Sequence, residues 1–310
     1  MNRVCKLCGK ALTGSYISAL GADWHPDHFL CAACGLPVRD ASFTVKDGQP
    51  YHPQCYVERI LPRCAYCNAP LVGEYLVDGW GTSFCAKHRQ EYPTCDFCGR
   101  LIPPSRQERG DPLAIQSKRC AVCRSKAVEN WQQARPLYDE VTRWVKTQLP
   151  GFPNTAFALE LCDRATLNRY ISVMGTALVG DMHTLGVTRS TRQTLNGREV
   201  STDVDGIAVL RGLPTPLFQG VLAHELGHAW LITQGITGLA PWLEEGLCEM
   251  LAHRYYTHLN TPEGRYYANT IEQNPNPVYG EGFRKLRATI NRVGFLNYMT
   301  QLRANKHPPA

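Results

Sequence analysis

The stretch VLAHELGHAWL, residues 221–231, determines how the second half of this chain folds. Its apolar residues surround His224, Glu225 and His228, and burying such polar groups in a helix is costly unless they have partners. Residues four apart lie on one helical face, so both imidazoles can reach a single metal ion. The HExxH spacing therefore predicts a catalytic zinc site in which Glu225 lies beside the metal and holds a water. A merely structural pair of histidines is the alternative.

The sequence around this stretch indicates a mainly helical region with a small sheet. Prolines at Pro214 and Pro241 open two helices, because proline is favoured in the first turn, and Gly235 ends the first of them. The strand predicted at 207–210 precedes the central helix and could pair with an extended substrate. The expected helices are roughly 124–149, 214–233, 241–258 and 281–303, with a strand at 157–161 and a loop or hairpin over 180–206.

A zinc ion that performs chemistry needs a third protein ligand and an open position. The segment PWLEEGLCE, residues 241–249, supplies three candidates, Glu244, Glu245 and Glu249. It resembles the W-L-x-E-G segment of gluzincin peptidases, and that resemblance implies that Glu245 binds the metal. It also implies that Glu249, one helical turn further on, orients His224, with an exposed charge as the alternative. Glu244 is expected to be an ordinary solvated or capping acid.

Glu225 is expected to take a proton from a zinc-activated water and to pass it to the leaving amine. The oxyanion that forms needs a further hydrogen-bond donor. Tyr279 is the first candidate, because the glycines next to it permit close backbone approach. His253 is the second, since it continues the helical face of Glu245 and Glu249. Either residue could instead be packed in the core.

The first 123 residues hold twelve of the fourteen cysteines, and metal-ligand side chains recur there in pairs with the spacing of a C-x2-C motif. This spacing lets a tight turn aim both side chains at one metal. Eight pairs provide sixteen ligands, enough for four closed, structural zinc sites that replace a hydrophobic core in such short modules. The pairs are Cys5/Cys8, His25/His28, Cys31/Cys34, His52/Cys55, Cys64/Cys67, Cys85/His88, Cys95/Cys98 and Cys120/Cys123.

The first four pairs resemble a LIM domain. Their spacing is C-x2-C-x16-H-x2-H-x2-C-x2-C-x17-H-x2-C, with Trp24 and Tyr51 each directly before a ligand histidine and the two-residue linker Phe29-Leu30 between the sites. His28 stands where cysteine is commoner in that family. The resemblance implies that one zinc is bound by Cys5, Cys8, His25 and His28, and a second by Cys31, Cys34, His52 and Cys55.

The next four pairs are LIM-like, with one departure. Six residues, 89–94, separate the two sites instead of two, so the relative angle of the two zinc knuckles does not carry over. The implied ligand sets are Cys64, Cys67, Cys85 and His88 for a third zinc, and Cys95, Cys98, Cys120 and Cys123 for a fourth.

Across nearly its whole length the chain resembles the DA-type LIM-domain peptidases, growth-control proteins best known from plants. The resemblance implies a zinc metalloendopeptidase that cleaves selected proteins, with LIM modules that dock or regulate a protein partner. Plant members carry ubiquitin-interacting motifs before the LIM domain, whereas this chain begins at the LIM domain, so ubiquitin regulation is not carried over. The segments that carry the resemblance are the two modules, GLP at 212–214, LAHELGHAWL at 222–231, EEGLCEMLAH at 244–253 and YGEGFR at 279–284.

The predicted fold class is therefore α+β. Tandem LIM and LIM-like zinc modules occupy residues 1–60 and 61–123, and a mainly helical, gluzincin-like peptidase domain with a small sheet occupies residues 124–310. The expected cofactors are four structural zinc ions and one catalytic zinc ion. Because the modules hold no catalytic ligand, the chemistry is not expected to need them.

Composition restricts the partners. The formal net charge of +6 counts every cysteine as neutral, and no run of five basic residues or basic helix suggests nucleic acid. No membrane span is expected, because no apolar window approaches eighteen residues. The N-terminal residues do not read as a signal peptide, so a cytoplasmic location and metal-bound cysteines are expected rather than disulfides.

Two features of the sequence concern the remaining cysteines and a competing function. Cys162 and Cys248 have no metal-binding partners in the sequence pattern and are expected to be buried apolar thiols. The competing function is a LIM-type protein-interaction adaptor with an inactive peptidase fold. The intact Glu225 favours the peptidase, because a pseudoenzyme could lose this residue without losing its fold.

Overall fold

The computed structural model of the protein describes residues 3–40, 42–104, 118–173, 185–195 and 198–309. The chain forms two compact units, Met1–Pro93 and Thr94–Ala310. The three predicted domains stay a prediction, but the fourth cysteine cluster lies in the second unit together with the HExxH helix. No helix of the described residues is both long and apolar enough to cross a membrane.

The first unit contains small antiparallel hairpins, whose short strands bury little apolar surface. Phe29 and Val38 form a minor apolar cluster, against which Trp24 and Tyr51 pack. The strand pairs are β1 (Ile17–Ala19) with β2 (Ala22–Trp24), β3 (Thr44–Lys46) with β4 (Gln49–Tyr51), and β5 (Leu76–Val77) with β6 (Ser83–Phe84). The helices are α1 (Pro53–Arg59) and α2 (His88–Glu91), with a 3-10 turn at Pro26–His28.

Four C-x-x-C pairs turn back through the same tight turn. The amide of the residue after each pair donates a hydrogen bond of 2.8–2.9 Å to the carbonyl oxygen of the first cysteine. That residue has φ between 58° and 73°, the left-handed region that glycine and asparagine adopt most easily. The turn therefore explains which residue follows each pair: Gly9, Gly35, Asn68 and Gly99.

The second unit is mainly helical and holds one three-stranded sheet. With the zinc modules before it, this architecture confirms the predicted α+β class. The predicted helix at 281–303 is two helices, because the chain turns at Gly294, where φ is 84°. The elements are α3 (Ala121–Ser125), α4 (Trp131–Gln148), β7 (Leu159–Cys162), α5 (Arg164–Val173), β8 (Gly186–Leu195), β9 (Arg198–Leu210), α6 (Thr215–Thr233), α7 (Pro241–Leu259), α8 (Pro262–Glu272), α9 (Gly280–Val293) and α10 (Phe295–Asn305).

The sheet corrects one expectation about substrate pairing. Its strand order is β7-β9-β8, with β9 parallel to β7 and antiparallel to β8. The strand predicted at 207–210 is the end of β9, so both of its edges are already paired within the protein. Among the described strands, β8 is an edge strand beside the HExxH helix. The predicted hairpin corresponds to β8 and β9, with residues 180–184, 196 and 197 outside the described residues.

Helix α6 is the centre of the second unit. It contacts α4, α7, β8 and β9, and Leu222, Ala223, Leu226 and Ala229 on it are fully buried. A helix that is apolar on all sides belongs in a core. The polar side chains of the HExxH motif are therefore attached to a helix that is packed on several sides, and this packing fixes the position of the backbone that carries them.

The start of α6 is held by the segment that follows the fourth cysteine cluster. The amide of Val128 donates to the carbonyl of Leu213 at 2.9 Å, and the amide of Gly212 donates to the carbonyl of Val128 at 2.8 Å. The amide of Thr215 donates to the carbonyl of Lys126 at 2.9 Å. Through this short ladder the cysteine cluster is continuous with the first turn of the HExxH helix.

Candidate metal centre

Helices α6 and α7 cross closely at the HExxH motif because Gly227 has no side chain. A Cβ atom at Gly227 would lie 3.0 Å from the Sγ atom and 3.4 Å from the Cα atom of Cys248. Cys248 follows Glu245 by three residues, which is almost one helical turn. The close crossing therefore brings Glu245 of α7 beside His224 and His228 of α6.

Three donor atoms converge at this crossing. The Nε2 atoms of His224 and His228 lie 3.2 Å apart, and the Oε2 atom of Glu245 lies 3.2 Å from the first and 3.5 Å from the second. Donors bound at about 2.0–2.2 Å to a tetrahedral zinc are about 3.3–3.6 Å apart. Glu245 Oε2 is buried and has no hydrogen-bond partner among the described residues. The three side chains fit a zinc ion.

Carboxylates also face the outer nitrogen of each histidine. Glu244 Oε1 lies 3.2 Å from His228 Nδ1, and Glu249 Oε1 lies 3.5 Å from His224 Nδ1. A carboxylate on Nδ1 fixes the tautomer in which Nε2 is free to bind a metal. Glu249 thus lies where the gluzincin resemblance implied, with its carboxylate facing Nδ1 of His224. Glu244, which was expected from the sequence to be an ordinary solvated or capping acid, faces Nδ1 of His228 in the same way.

Electrostatics separates Glu245 from Glu249. Burial would raise the pKa of the Glu245 carboxyl, but the two histidines outweigh it and hold that pKa well below its ordinary value. The pKa of Glu249 is raised, chiefly by burial, because the opposing effect of His224 is smaller. The two carboxyls of α7 thus differ in the direction of their pKa shift.

Glu225 is held by the edge strand. Its side chain is buried, and the Thr188 hydroxyl of β8 lies 2.9 Å from its Oε2 atom and 2.8 Å from its backbone oxygen. Gly186 on the same strand leaves room for it, since a Cβ atom there would lie 2.9 Å from both Cγ and Oε1 of Glu225. The carboxylate faces the same cavity as the three donor side chains.

Tyr279 directly precedes the first residue of α9 and lines the same cavity. Gly246 of α7 and Gly282 of α9 pack backbone against backbone, as a Cβ atom on Gly246 would lie 2.6 Å from the carbonyl carbon of Gly282. The ring centroids of Tyr279 and His224 are 6.4 Å apart. Burial, and then the carboxylate of Glu245, raise the pKa of the Tyr279 phenol, so it keeps its proton and can donate.

The cavity in front of these residues has a volume of about 370 Å³. Its polar part includes the HExxH side chains, the three glutamates of α7 and Tyr279. The apolar part includes Leu217 and Val221 of α6 and Ile271 of α8. This combination of convergent polar groups with an apolar wall is typical of a binding site.

His253 lies outside this site, which corrects the role predicted for it. Its Nε2 atom is 2.8 Å from Oε1 of Glu272 on α8, and its ring centroid is 4.9 Å from that of Phe283. His253 does not line the cavity described above. Two helical turns separate it from Glu245, about 12 Å along the axis, so the same helical face does not place it at the same site.

The two remaining cysteines are buried. Cys162 lies at the end of β7, and burial raises the pKa of its thiol to about 11. Burial likewise raises the pKa of Cys248 to about 12, although its Sγ atom lies within 4.8 Å of donor nitrogens of His224 and His228. Cys248 packs against Gly227 of α6, while Glu245 Oε2 lies 3.2 Å and 3.5 Å from the two Nε2 atoms.

The four cysteine-rich clusters fit zinc as well. In each, four donor atoms lie within 4.8 Å of one another. Measured pairs include Cys5 Sγ to His28 Nδ1 at 3.4 Å and Cys67 Sγ to Cys85 Sγ at 3.8 Å, and two sulfurs on a tetrahedral zinc are about 3.8 Å apart. His88 Nε2 is buried without a hydrogen-bond partner among the described residues, as expected of a ligand. The sets are those that the resemblance implied: Cys5, Cys8, His25, His28; Cys31, Cys34, His52, Cys55; Cys64, Cys67, Cys85, His88; and Cys95, Cys98, Cys120, Cys123.

Two regions of the chain match known protein families. A family described as Protein DA1 matches residues 172–263, and the LIM domain family matches residues 5–60. Protein DA1 of Arabidopsis thaliana is 26% identical over 94% of this chain and 65% of its own length, and DA1-related 1 is 25% identical over 97% and 65%. The LIM domain-containing protein HDR3 of Oryza sativa is 25% identical over 97% and 73%. The chain thus spans about two thirds of the first two relatives.

Proposed function

We propose, from the premise of a DA-type LIM-domain family that these matches support, that the chain is a zinc-dependent peptidase acting on selected proteins. The observation that carries the proposal is the convergence of His224 Nε2, His228 Nε2 and Glu245 Oε2 within 3.2–3.5 Å. Four-ligand clusters close on themselves, whereas these three donors face a cavity. Three protein ligands with an open side are typical of a zinc site that performs chemistry.

Zinc, when bound by these three side chains, would supply the Lewis acidity that polarises a substrate carbonyl and makes water a nucleophile near neutral pH. Glu225 follows His224 directly and lines the same cavity. Its carboxylate would accept the proton of the attacking water and deliver it to the nitrogen of the leaving amine. Thr188 restrains that carboxylate from the other side.

Tyr279 is proposed to stabilise the negative charge that develops on the carbonyl oxygen. Its phenol lines the cavity and keeps its proton, because burial raises its pKa. A donor aimed at the developing charge contributes more in a water-poor site than it would in bulk water.

The edge strand β8 is proposed to align the substrate. Residues 185–188, including Gly186 and Thr188, line the cavity, and β8 is paired with β9 on one side in the described sheet. An extended peptide can add to such an edge through main-chain hydrogen bonds, while side chains enter the neighbouring cavity. We therefore assign substrate pairing to the first part of β8, at 186–189, instead of to β9.

The zinc modules are proposed to dock or regulate a protein partner, in line with a DA1-type regulator. Apolar side chains in the loops of these modules, such as Leu36 and Val72, are exposed by 64% and 65%. Cleavage of selected proteins rather than bulk digestion would follow if partners are recruited through such surfaces.

The proposal is tested by incubating the purified, zinc-loaded protein with a mixed proteome and mapping new N termini by mass spectrometry. Glu225→Gln is the matched control, since it keeps all three donor side chains and nearly the same volume but removes the base. General base catalysis contributes about two to four orders of magnitude, so the variant is expected to produce almost no new termini. If the unmodified, zinc-loaded protein produced no new termini, the LIM-type adaptor with an inactive peptidase fold would remain as the function.

A further inference from the structure

The hydroxyl of Thr188 joins β8 to the HExxH helix at Glu225. It lies 2.9 Å from the carboxylate Oε2 atom and 2.8 Å from the backbone oxygen of Glu225. Both side chains are almost completely buried, with exposures of 5% for Thr188 and 6% for Glu225. A threonine hydroxyl has one proton to donate, so the carboxylate Oε2 atom and the backbone oxygen of Glu225 share this single donor.

A second feature of β8 acts on the same carboxylate. Gly186 lies two residues before Thr188, so the two positions face the same side of the strand. A Cβ atom at Gly186 would lie 2.9 Å from Cγ and Oε1 of Glu225, which is too close for an unshifted side chain. Gly186 provides the space that the Glu225 side chain occupies, and the hydroxyl of Thr188 holds the carboxylate in that space.

A general base must lie within hydrogen-bond reach of the proton that it removes. A glutamate side chain has several rotatable bonds, and fixing them costs entropy unless contacts hold it in place. The hydroxyl of Thr188 binds one carboxylate oxygen and leaves the other for the reaction. Misplacement of a catalytic group by about 1 Å can cost about a hundredfold in rate.

We propose that Thr188 is a positioning residue that holds Glu225 in its reactive orientation. This inference rests on the proposed peptidase function. A purely structural role, in which Thr188 only ties the strand to the backbone of α6, is the competing explanation, and the two differ in what happens to turnover when folding and metal content are preserved.

The test compares Thr188→Val, which keeps the shape and removes the hydroxyl, with Thr188→Ser, which keeps the hydroxyl and removes the methyl group. Thr191→Val is a matched control, because Thr191 on the same strand donates to Asp205 at 2.8 Å, away from the cavity and beyond the register shift at Arg189/Ser190. Each full-length variant is measured for kcat, KM, zinc content and melting temperature with one peptide substrate.

We expect Thr188→Val to lower kcat by roughly tenfold to a hundredfold with KM and zinc content unchanged. Thr188→Ser should retain kcat within about threefold, and Thr191→Val should match the unmodified protein. The inference is overturned if Thr188→Val keeps full kcat, or if Thr188→Ser loses as much as Thr188→Val. A kcat loss that merely accompanies lower zinc content or melting temperature assigns Thr188 the structural role.

The two proposals fail in different ways. An unmodified, zinc-loaded protein that cleaves nothing removes the peptidase function, and with it any base for Thr188 to position. Cleavage by the unmodified protein, abolished by Glu225→Gln but undiminished by Thr188→Val, removes only the inference about Thr188.

Discussion

Oε1 of Glu244 lies 3.2 Å from Nδ1 of His228, while Nε2 of the same ring faces His224 and Glu245. With Nε2 available to a metal, the proton of the ring is on Nδ1, where the carboxylate accepts it. Glu244 therefore has for the second histidine the role that Glu249 has for the first.

We expect Glu244→Ala to weaken zinc binding at the HExxH site by about tenfold, and Glu249→Ala by up to about a hundredfold, as changes behind metal ligands generally do. The difference follows from exposure, because the Glu244 side chain is 43% exposed and water can replace it, whereas that of Glu249 is 17% exposed. Competition with a coloured chelator measures both affinities. If Glu244→Ala bound zinc as tightly as the unmodified protein, Glu244 would be the ordinary solvated or capping acid that the sequence predicted.

The choice of third ligand is tested by Glu245→Ala beside Cys248→Ala. Removing Glu245 takes away a charged donor 3.2 Å from His224 Nε2, so this variant should lose the HExxH zinc and keep the other four. Removing the buried thiol should leave metal content unchanged. Elemental analysis distinguishes the two, and loss of one zinc from Cys248→Ala alone would transfer the ligand role to the cysteine.

Five zinc ions per chain are expected in reducing buffer. Four clusters offer four donors each, and the HExxH site offers three protein donors. Because fewer protein ligands hold it, the fifth ion should leave first under mild chelation, with activity lost while the fold persists. Elemental analysis during chelation follows the order, and a total of two or fewer ions would contradict the assignment of the cysteine clusters.

Truncation is expected to show that the fourth cysteine cluster is part of the catalytic unit. Arg119, next to Cys120, donates to the carbonyl of Gly212 at 2.9 Å, and the cluster continues into the ladder that holds the start of α6. A chain beginning at Thr94 should fold and bind two zinc ions.

A chain beginning at Arg124 lacks that cluster and should melt about 10 °C or more lower, since a structural zinc contributes several kcal/mol and each kcal/mol is about 2–4 °C in a unit of this size. Calorimetry of both fragments decides the point. Equal melting temperatures would support the sequence-based expectation that the peptidase needs none of the cysteine-rich modules.

The parts of the site that the sequence predicted are those set by local helical geometry. His224 and His228 share a face because they are four residues apart, and Glu245 and Glu249 share a face for the same reason. The turn after the first four C-x-x-C pairs is local as well, which is why glycine or asparagine follows each of them.

The parts that sequence reasoning missed depend on contacts between distant segments. Thr188 precedes Glu225 by 37 positions, and no local pattern indicates that its hydroxyl meets that carboxylate. Strand order is similarly nonlocal, so the sequence does not show that β7 and β8 already pair with both edges of the strand predicted at 207–210. His253 shares a helical face with Glu245 but lies two turns further along α7, where its Nε2 atom contacts Glu272 of α8.

Gly227 occupies one of the two positions that the HExxH pattern leaves unspecified. In this chain the position is not free, because a methyl group there would press against Cys248. Over evolutionary time the two positions are expected to change together, with alanine or serine accepted at the first only where a smaller residue stands at the second. The residue at position 248 would thus limit which residues can occupy position 227 of the motif, although Cys248 takes no part in the proposed chemistry.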